Sequence, residues 1–251
     1  MPRTRRVSVM KRGVHQLPFW TNYLGLGSPY LQFYGFLFFY LVGLVDLLCR
    51  DFYFSVKVVL AWCHVVSGLG MYGFMRQATR SRQAGLIAGL ALVLCFWHTQ
   101  QVLVMGRYPL AAVYALLPLP FWAFERGGRV AGLWGGIALG VLAFAHPGYA
   151  FWATLLLIIY IGLRTVALLK RWRGRQWLWC GVSILAVGLL VGAYLTLPMW
   201  LEREYTGLAA GVELSGVLDP GWRQLFSWSN FRWRFDELPV DQRHWYGGYL
   251  G

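Results

Sequence analysis

The sequence predicts an all-α fold, a polytopic bundle of six or seven membrane helices with an extracytoplasmic C-terminal segment. Three observations predict it. Of the 251 residues 58% are hydrophobic and 13% charged, with a mean hydropathy of +0.49. A soluble domain carries about a quarter charged residues, so an ordinary water-soluble enzyme is excluded. The apolar residues also fall in runs that approach the ~20 residues needed to cross a bilayer. Short basic clusters separate the runs, and the excess of 23 Lys and Arg over 10 Asp and Glu sets orientation in a membrane rather than binding nucleic acid.

The first run, 30–49, can be placed in two ways. If it crosses the bilayer, Arg3, Arg5, Arg6, Lys11 and Arg12 are cytoplasmic and the chain has seven spans, which charge favours. Its aromatic stretch YLQFYGFLFFY also suits a juxtamembrane helix, which leaves six. Runs 54–75 and 84–105 follow as spans. Run 109–124 begins with Pro109 and contains Pro118 and Pro120, which predicts a kinked helix whose freed carbonyls find partners inside a bundle. Run 130–145 stops at His146-Pro147, run 148–169 starts directly after, and run 177–200 closes the series. Residues 1–53 thus read as an N-terminal segment and 54–200 as the bundle. In 201–251 aromatics alternate with Arg and Asp, giving an extracytoplasmic loop or the start of a cap. The closing WYGGYLG stops where another apolar run could begin, so the chain reads as a truncated fragment.

Loop charge assigns the sides. Loops 76–83 (Arg76, Arg80, Arg82), 125–129 (Arg126, Arg129) and 170–176 (Lys170, Arg171, Arg173, Arg175) alternate onto one face and are expected in the cytoplasm, in a multi-pass protein of the cytoplasmic membrane. The KRWRGR run in the third loop is read as a topology anchor on anionic headgroups. The opposite side receives 106–108, the His146-Pro147 break and 201–251, whose seven acidic residues outnumber five Arg. Cys49, Cys63, Cys95 and Cys180 form no CxxC pair and imply neither a disulfide framework nor a zinc site.

Four stretches occur in order: LPFWTNYLGLGSPYLQFYGFLFFYL, SGLGMYGFMRQ, GRYPLAAVYALLPLPFWAF and LAFAHPGYA. Together, over about residues 17 to 200, they resemble a bacterial family of integral membrane proteins related by name to 6-pyruvoyl-tetrahydropterin synthase and similar in plan to type C glycosyltransferases. The third resembles that family's Arg-Gly-x-Leu-x-Glu segment followed by Leu-Pro, and the fourth its Ser/Thr-His element. The resemblance implies a span before this chain, a juxtamembrane helix at 30–49, and an outer face that handles a polyprenyl-phosphate-linked sugar. It also implies a first-loop carboxylate acting as base or as ligand to a divalent metal. Residues 1–45 hold no Asp or Glu, and Ala112 stands where the family-like Glu would follow Arg107. No cofactor is evident, and a metal belongs to the complete protein if anywhere.

The candidate chemistry lies mostly on the outer side. Arg107, with Tyr108 beside it, can hold a lipid phosphate bidentately, or it snorkels to ordinary headgroups. His98, Thr99, Gln100 and Gln101 form a polar patch that marks an inner wall or joins helices by hydrogen bonds. Cys95 shares a face with His98, but two ligands make no metal site. His146, before Pro147, is a candidate acid, base or phosphate donor, or a helix-end residue. Glu202 and Glu204 are candidate replacements for the missing base, as are Asp236 and Glu237, or all four are merely solvated. Cys63-His64 is assigned to packing, and Lys57 snorkels toward Asp51 or a lipid phosphate. Two functions follow: a glycosyltransferase-like module, or a non-catalytic scaffold or transporter-like component of envelope assembly. The scarcity of buried charge weighs against an ion-coupled transporter.

Overall fold

The computed structural model describes residues 35–104, 106–169 and 174–201, and within them it contains helices and no strands. The helices are α1 (Leu37–Cys49), α2 (Phe52–Thr79), α3 (Arg82–Leu94), the short α4 (Phe96–Thr99), α5 (Pro109–Leu116), α6 (Pro118–Arg126), α7 (Arg129–Ala145), α8 (Pro147–Leu169) and α9 (Gly174–Leu201); a π-helical turn, Gln100–Val104, follows α4. Three of them, α2, α8 and α9, are long and apolar enough to cross a membrane, and α1, α3 and α7 are shorter apolar helices. Their outward faces carry Leu69, Leu163, Leu189, Leu190 and Trp200, all exposed. An apolar exterior of this kind fits a membrane-embedded protein, because lipid chains cover it at no cost. The tail 201–251 lies outside the described residues apart from Leu201.

Local chemistry explains most helix ends. Asp51 caps α2 by accepting from the N–H groups of Tyr53 and Phe54 at 3.0 and 3.2 Å, and Ser81 caps α3 through Ala84 N–H, each meeting donors that the first turn leaves unpaired. Pro109, Pro118 and Pro147 open α5, α6 and α8, where a missing N–H costs nothing. The predicted interruption of 109–124 falls between Leu116 and Pro118, although Leu117 keeps right-handed helical angles and donates to Val113 O.

One expectation needs correction. The run 84–105 is not a single helix: α3 stops at Leu94, and Cys95 turns to φ −59, ψ 121. No Gly or Pro lies between 90 and 105 to announce the break. It is made good by other groups: Cys95 N–H donates to Leu92 O at 3.4 Å, and His98 Nδ1 lies 3.4 Å from the same oxygen.

The joined α5 and α6 run through the middle. Leu110, Ala111, Ala112, Val113, Pro118, Pro120 and Phe124 are buried there, between α2 on one side and α7 on the other. The closest packing is α7 against α9. A Cβ on Gly136 would stand 2.5 Å from that of Val187, and one on Gly140 2.4 Å from that of Val191. Small residues four apart let two membrane helices approach to this distance.

The bundle has two chemically different ends. At one, Gln77 Nε2 donates to Glu125 O at 3.4 Å, and the Gly127 turn meets the Trp177 ring. This brings Arg76, Arg80, Arg82, Arg126 and Arg129 to the same end, as their alternation in sequence predicts. At the other, Phe36 stacks on Phe144 and Phe38 on Tyr108. Gly35, at φ +78, passes so close to Ala145 O that a Cβ would lie 2.4 Å from it. Helix α1 starts at this second end and passes through Arg50-Asp51 straight into α2, whose far terminus carries Arg76.

Candidate functional site at the Arg107 end

The π-helical turn does two things for Arg107. Widening the helix by one residue places Gln101 so that its carbonyl accepts from Arg107 N–H at 3.1 Å, while its Oε1 accepts from the guanidinium Nη1 at 2.9 Å. Such π-turns are rare and concentrate at functional positions. Gln101 is 1% exposed, so the arginine is anchored from inside the bundle while its head remains half-exposed.

His146 sits between α7 and α8 in extended geometry, φ −165 and ψ 111, with its ring edge-on to Tyr149 at 5.0 Å. Arg107 lies within electrostatic reach of both His146 and Tyr149. The N-termini of α5 and α8, at Pro109 and Pro147, open at this end as well, and each contributes the positive end of its dipole. A guanidinium, an imidazole, a phenol and two helix starts thus face one region. Positive helix ends and guanidinium donors are groups that interact favourably with anions.

Behind it stands the polar wall. His98 is 3% exposed; its ring lies 4.1 Å from that of Tyr114 and 5.1 Å from that of His64. The Leu92 carbonyl lies 3.4 Å from Nδ1, which donates to it in the tautomer that carries its proton there. Gln100 is 7% exposed, and its Oε1 is buried without a hydrogen-bond donor, which costs about 1–3 kcal/mol in an apolar interior. Tyr114 is also within electrostatic reach of Tyr149 and Cys95, which joins the wall to the Arg107 cluster.

The structure therefore brings together Arg107, Gln101 and His146, and backs them with His98. Tyr108 turns aside and lies along Phe38 of α1. Thr99 is exposed and bonds back to Cys95 O. Cys63 is buried, and Lys57 is exposed on α2. Glu202, Glu204, Asp236 and Glu237 lie outside the described residues. Among the described residues no three His, Cys, Asp or Glu side chains gather closely enough to hold a metal ion. Tyr149 and Tyr114 were missed in the sequence; Tyr149 follows His146 by three positions across a helix start, a spacing that could have shown it.

A second cluster, at the basic end, holds a buried charge that the sequence reading did not single out. Glu125, with its side chain 2% exposed, accepts from Arg164 at both oxygens: Nε to Oε1 and Nη2 to Oε2, each 2.7 Å. The Tyr160 hydroxyl donates to Oε1 as well. Sequence reading left Glu125 in the 125–129 loop because the next four residues are Arg-Gly-Gly-Arg, and passed over Arg164 as one cation in an apolar run. Yet Tyr160 and Arg164 share a helix face at i, i+4.

Comparison with protein-family models, with curated proteins and with solved structures finds no match to this chain.

Proposed function

We propose that the protein is a module of the cytoplasmic membrane, similar in plan to a type C glycosyltransferase, whose Arg107 end receives a polyprenyl-phosphate-linked sugar at the outer face. The observation that carries this reading is the cluster itself: Arg107 anchored by Gln101, set against His146 and Tyr149 at the starts of two helices. A phosphate there meets charge-assisted donors in a partly dry setting, where they are stronger than at an open surface. The buried Gln100 Oε1 and the His98–Tyr114 stack supply an acceptor and an aromatic face for a neighbouring hydroxylated group. Catalysis needs a carboxylate in addition, for which Glu202 and Glu204 are the proposed sources, and a divalent metal would enter with them.

The topology that accompanies this reading places loops 76–83, 125–129 and 170–176 in the cytoplasm, 201–251 outside, and α1 along the outer surface. Thirteen residues of α1 span about 20 Å, and both of its ends adjoin the Arg107 end. That supports six spans over seven.

A non-catalytic scaffold or transporter-like component is the second reading, and the Glu125–Arg164 pair is the observation in its favour, since buried charge marks transport pathways. Glu125 lies next to the last residue of α6, however, and Arg164 in the last two turns of α8, not midway along either, which favours the first reading.

The test is to substitute Arg107→Ala and Glu204→Gln in the complete protein and measure sugar incorporated into envelope polymer. Both substitutions are expected to lower it by about tenfold or more, as the loss of a charged substrate contact does. Unchanged incorporation in both variants would remove the site.

A further inference from the structure

Glu125, Arg164 and Tyr160 take no part in the Arg107 cluster, but they sit on the helices that carry it. The joined α5 and α6 lead from Arg107 to Glu125, and α8 leads from His146 to Arg164. Each pair is eighteen positions apart, about 27 Å of helix. The two segments run parallel, each with its N-terminus at the cluster and its C-terminal part at the ion pair. We infer that Glu125, Arg164 and Tyr160 are positioning residues: their clamp fixes the register of α6 against α8 and so sets the spacing of Arg107 from His146 and Tyr149 at the opposite end.

The geometry supports register rather than bulk stability. Burying the Glu125 carboxylate costs hydration that its attraction to the partly exposed Arg164 offsets, so the pair contributes little net stability. What it does contribute is discrimination. A bidentate guanidinium–carboxylate contact has one angular solution, and sliding one helix past the other by a single turn, ~5.4 Å, leaves a carboxylate buried and unpaired. The Tyr160 hydroxyl adds a third bond from the same face of α8. Gln77 of α2 donates to the backbone oxygen of Glu125 and so ties the clamp to a third helix. Around the clamp α6 and α8 also meet through rings, Phe121 and Phe124 against the Tyr160 ring at 5.5 and 6.0 Å, and ring contacts alone pack in more than one offset. The ion pair supplies the directionality that those rings lack.

What the spacing serves rests on the phosphate-binding reading above, and the experiment separates the two. Spin labels are placed at Leu103 and Phe151, both exposed near the cluster, with the exposed Cys49 replaced by Ser. Their distance distribution is measured for the full chain in lipid nanodiscs, alongside affinity for a short-chain polyprenyl phosphate. Glu125→Gln and Arg164→Gln should broaden or shift the distribution and weaken the probe by about tenfold. The exchange Glu125→Arg with Arg164→Glu should return both toward the parent. Tyr160→Phe, which removes one donor and keeps the ring, should give a smaller broadening and decides the matter should the charge variants fail to fold. Folded variants with the parent distance distribution overturn the clamp. A changed distribution with no probe bound by the parent upholds the clamp and overturns the phosphate reading.

Discussion

Arg107 shows how a single side chain takes its meaning from what holds it. An arginine at a membrane surface ordinarily snorkels to whichever headgroup is near. Here its backbone and its guanidinium both bond to Gln101, a residue buried inside the bundle, so its direction is set before any ligand arrives. Replacing Gln101 with Met keeps the volume and removes the acceptor. The variant is expected to unfold at the parent temperature, yet to bind a polyprenyl phosphate probe about tenfold more weakly, the loss of roughly one charge-assisted hydrogen bond; Gln101→Glu, whose carboxylate offsets the guanidinium charge, should weaken binding at least as much. His98 and Gln101 stand out in the sequence as polar groups in an apolar run, and Arg107 and His146 as polar residues at the breaks between runs. Their partners stand out less. Tyr114 and Tyr149 were not singled out in the sequence. Glu125 and Arg164 are 39 positions apart, and nothing in one sequence pairs them across that separation.

At the scale of elements, helix existence followed from hydrophobic runs, and Pro109 and His146-Pro147 marked two helix ends, whereas the caps at Asp51 and Ser81 emerge only in the structure. The break after Leu94 was unmarked too, since it is held by a histidine reaching back to a carbonyl rather than by Gly or Pro. The contact of α7 with α9 was also silent, because glycines scattered through two runs acquire meaning only once the runs face each other. Gly136 and Gly140 leave no space for even a methyl group. Gly140→Leu should therefore force the two helices apart and destabilise the bundle by about 1–3 kcal/mol or more, the usual cost of overpacking, measurable as a lowered midpoint in a denaturing-detergent titration. A parent-like midpoint would mean that the two helices are not in this contact.

For the whole molecule, polarity between the ends is the organising feature. Arginines that interrupt the sequence at two places, 76–82 and 126–129, collect at one end, where Arg126 lies over the Trp122 ring at 5.7 Å and Arg76 over Tyr72 at 5.9 Å. The polar cluster around Arg107 occupies the other. Cations are retained on the cytoplasmic side of a membrane, so the cluster should open outward, where lipid-linked sugars would reach it. The direct measurement is labelling by a membrane-impermeant maleimide of Arg80→Cys and Gly148→Cys, each in a Cys49→Ser background. Gly148→Cys should react in intact cells and Arg80→Cys only after permeabilisation. Labelling of Arg80→Cys in intact cells, with Gly148→Cys protected, would turn the cluster to the cytoplasm and contradict an outward-facing phosphate site.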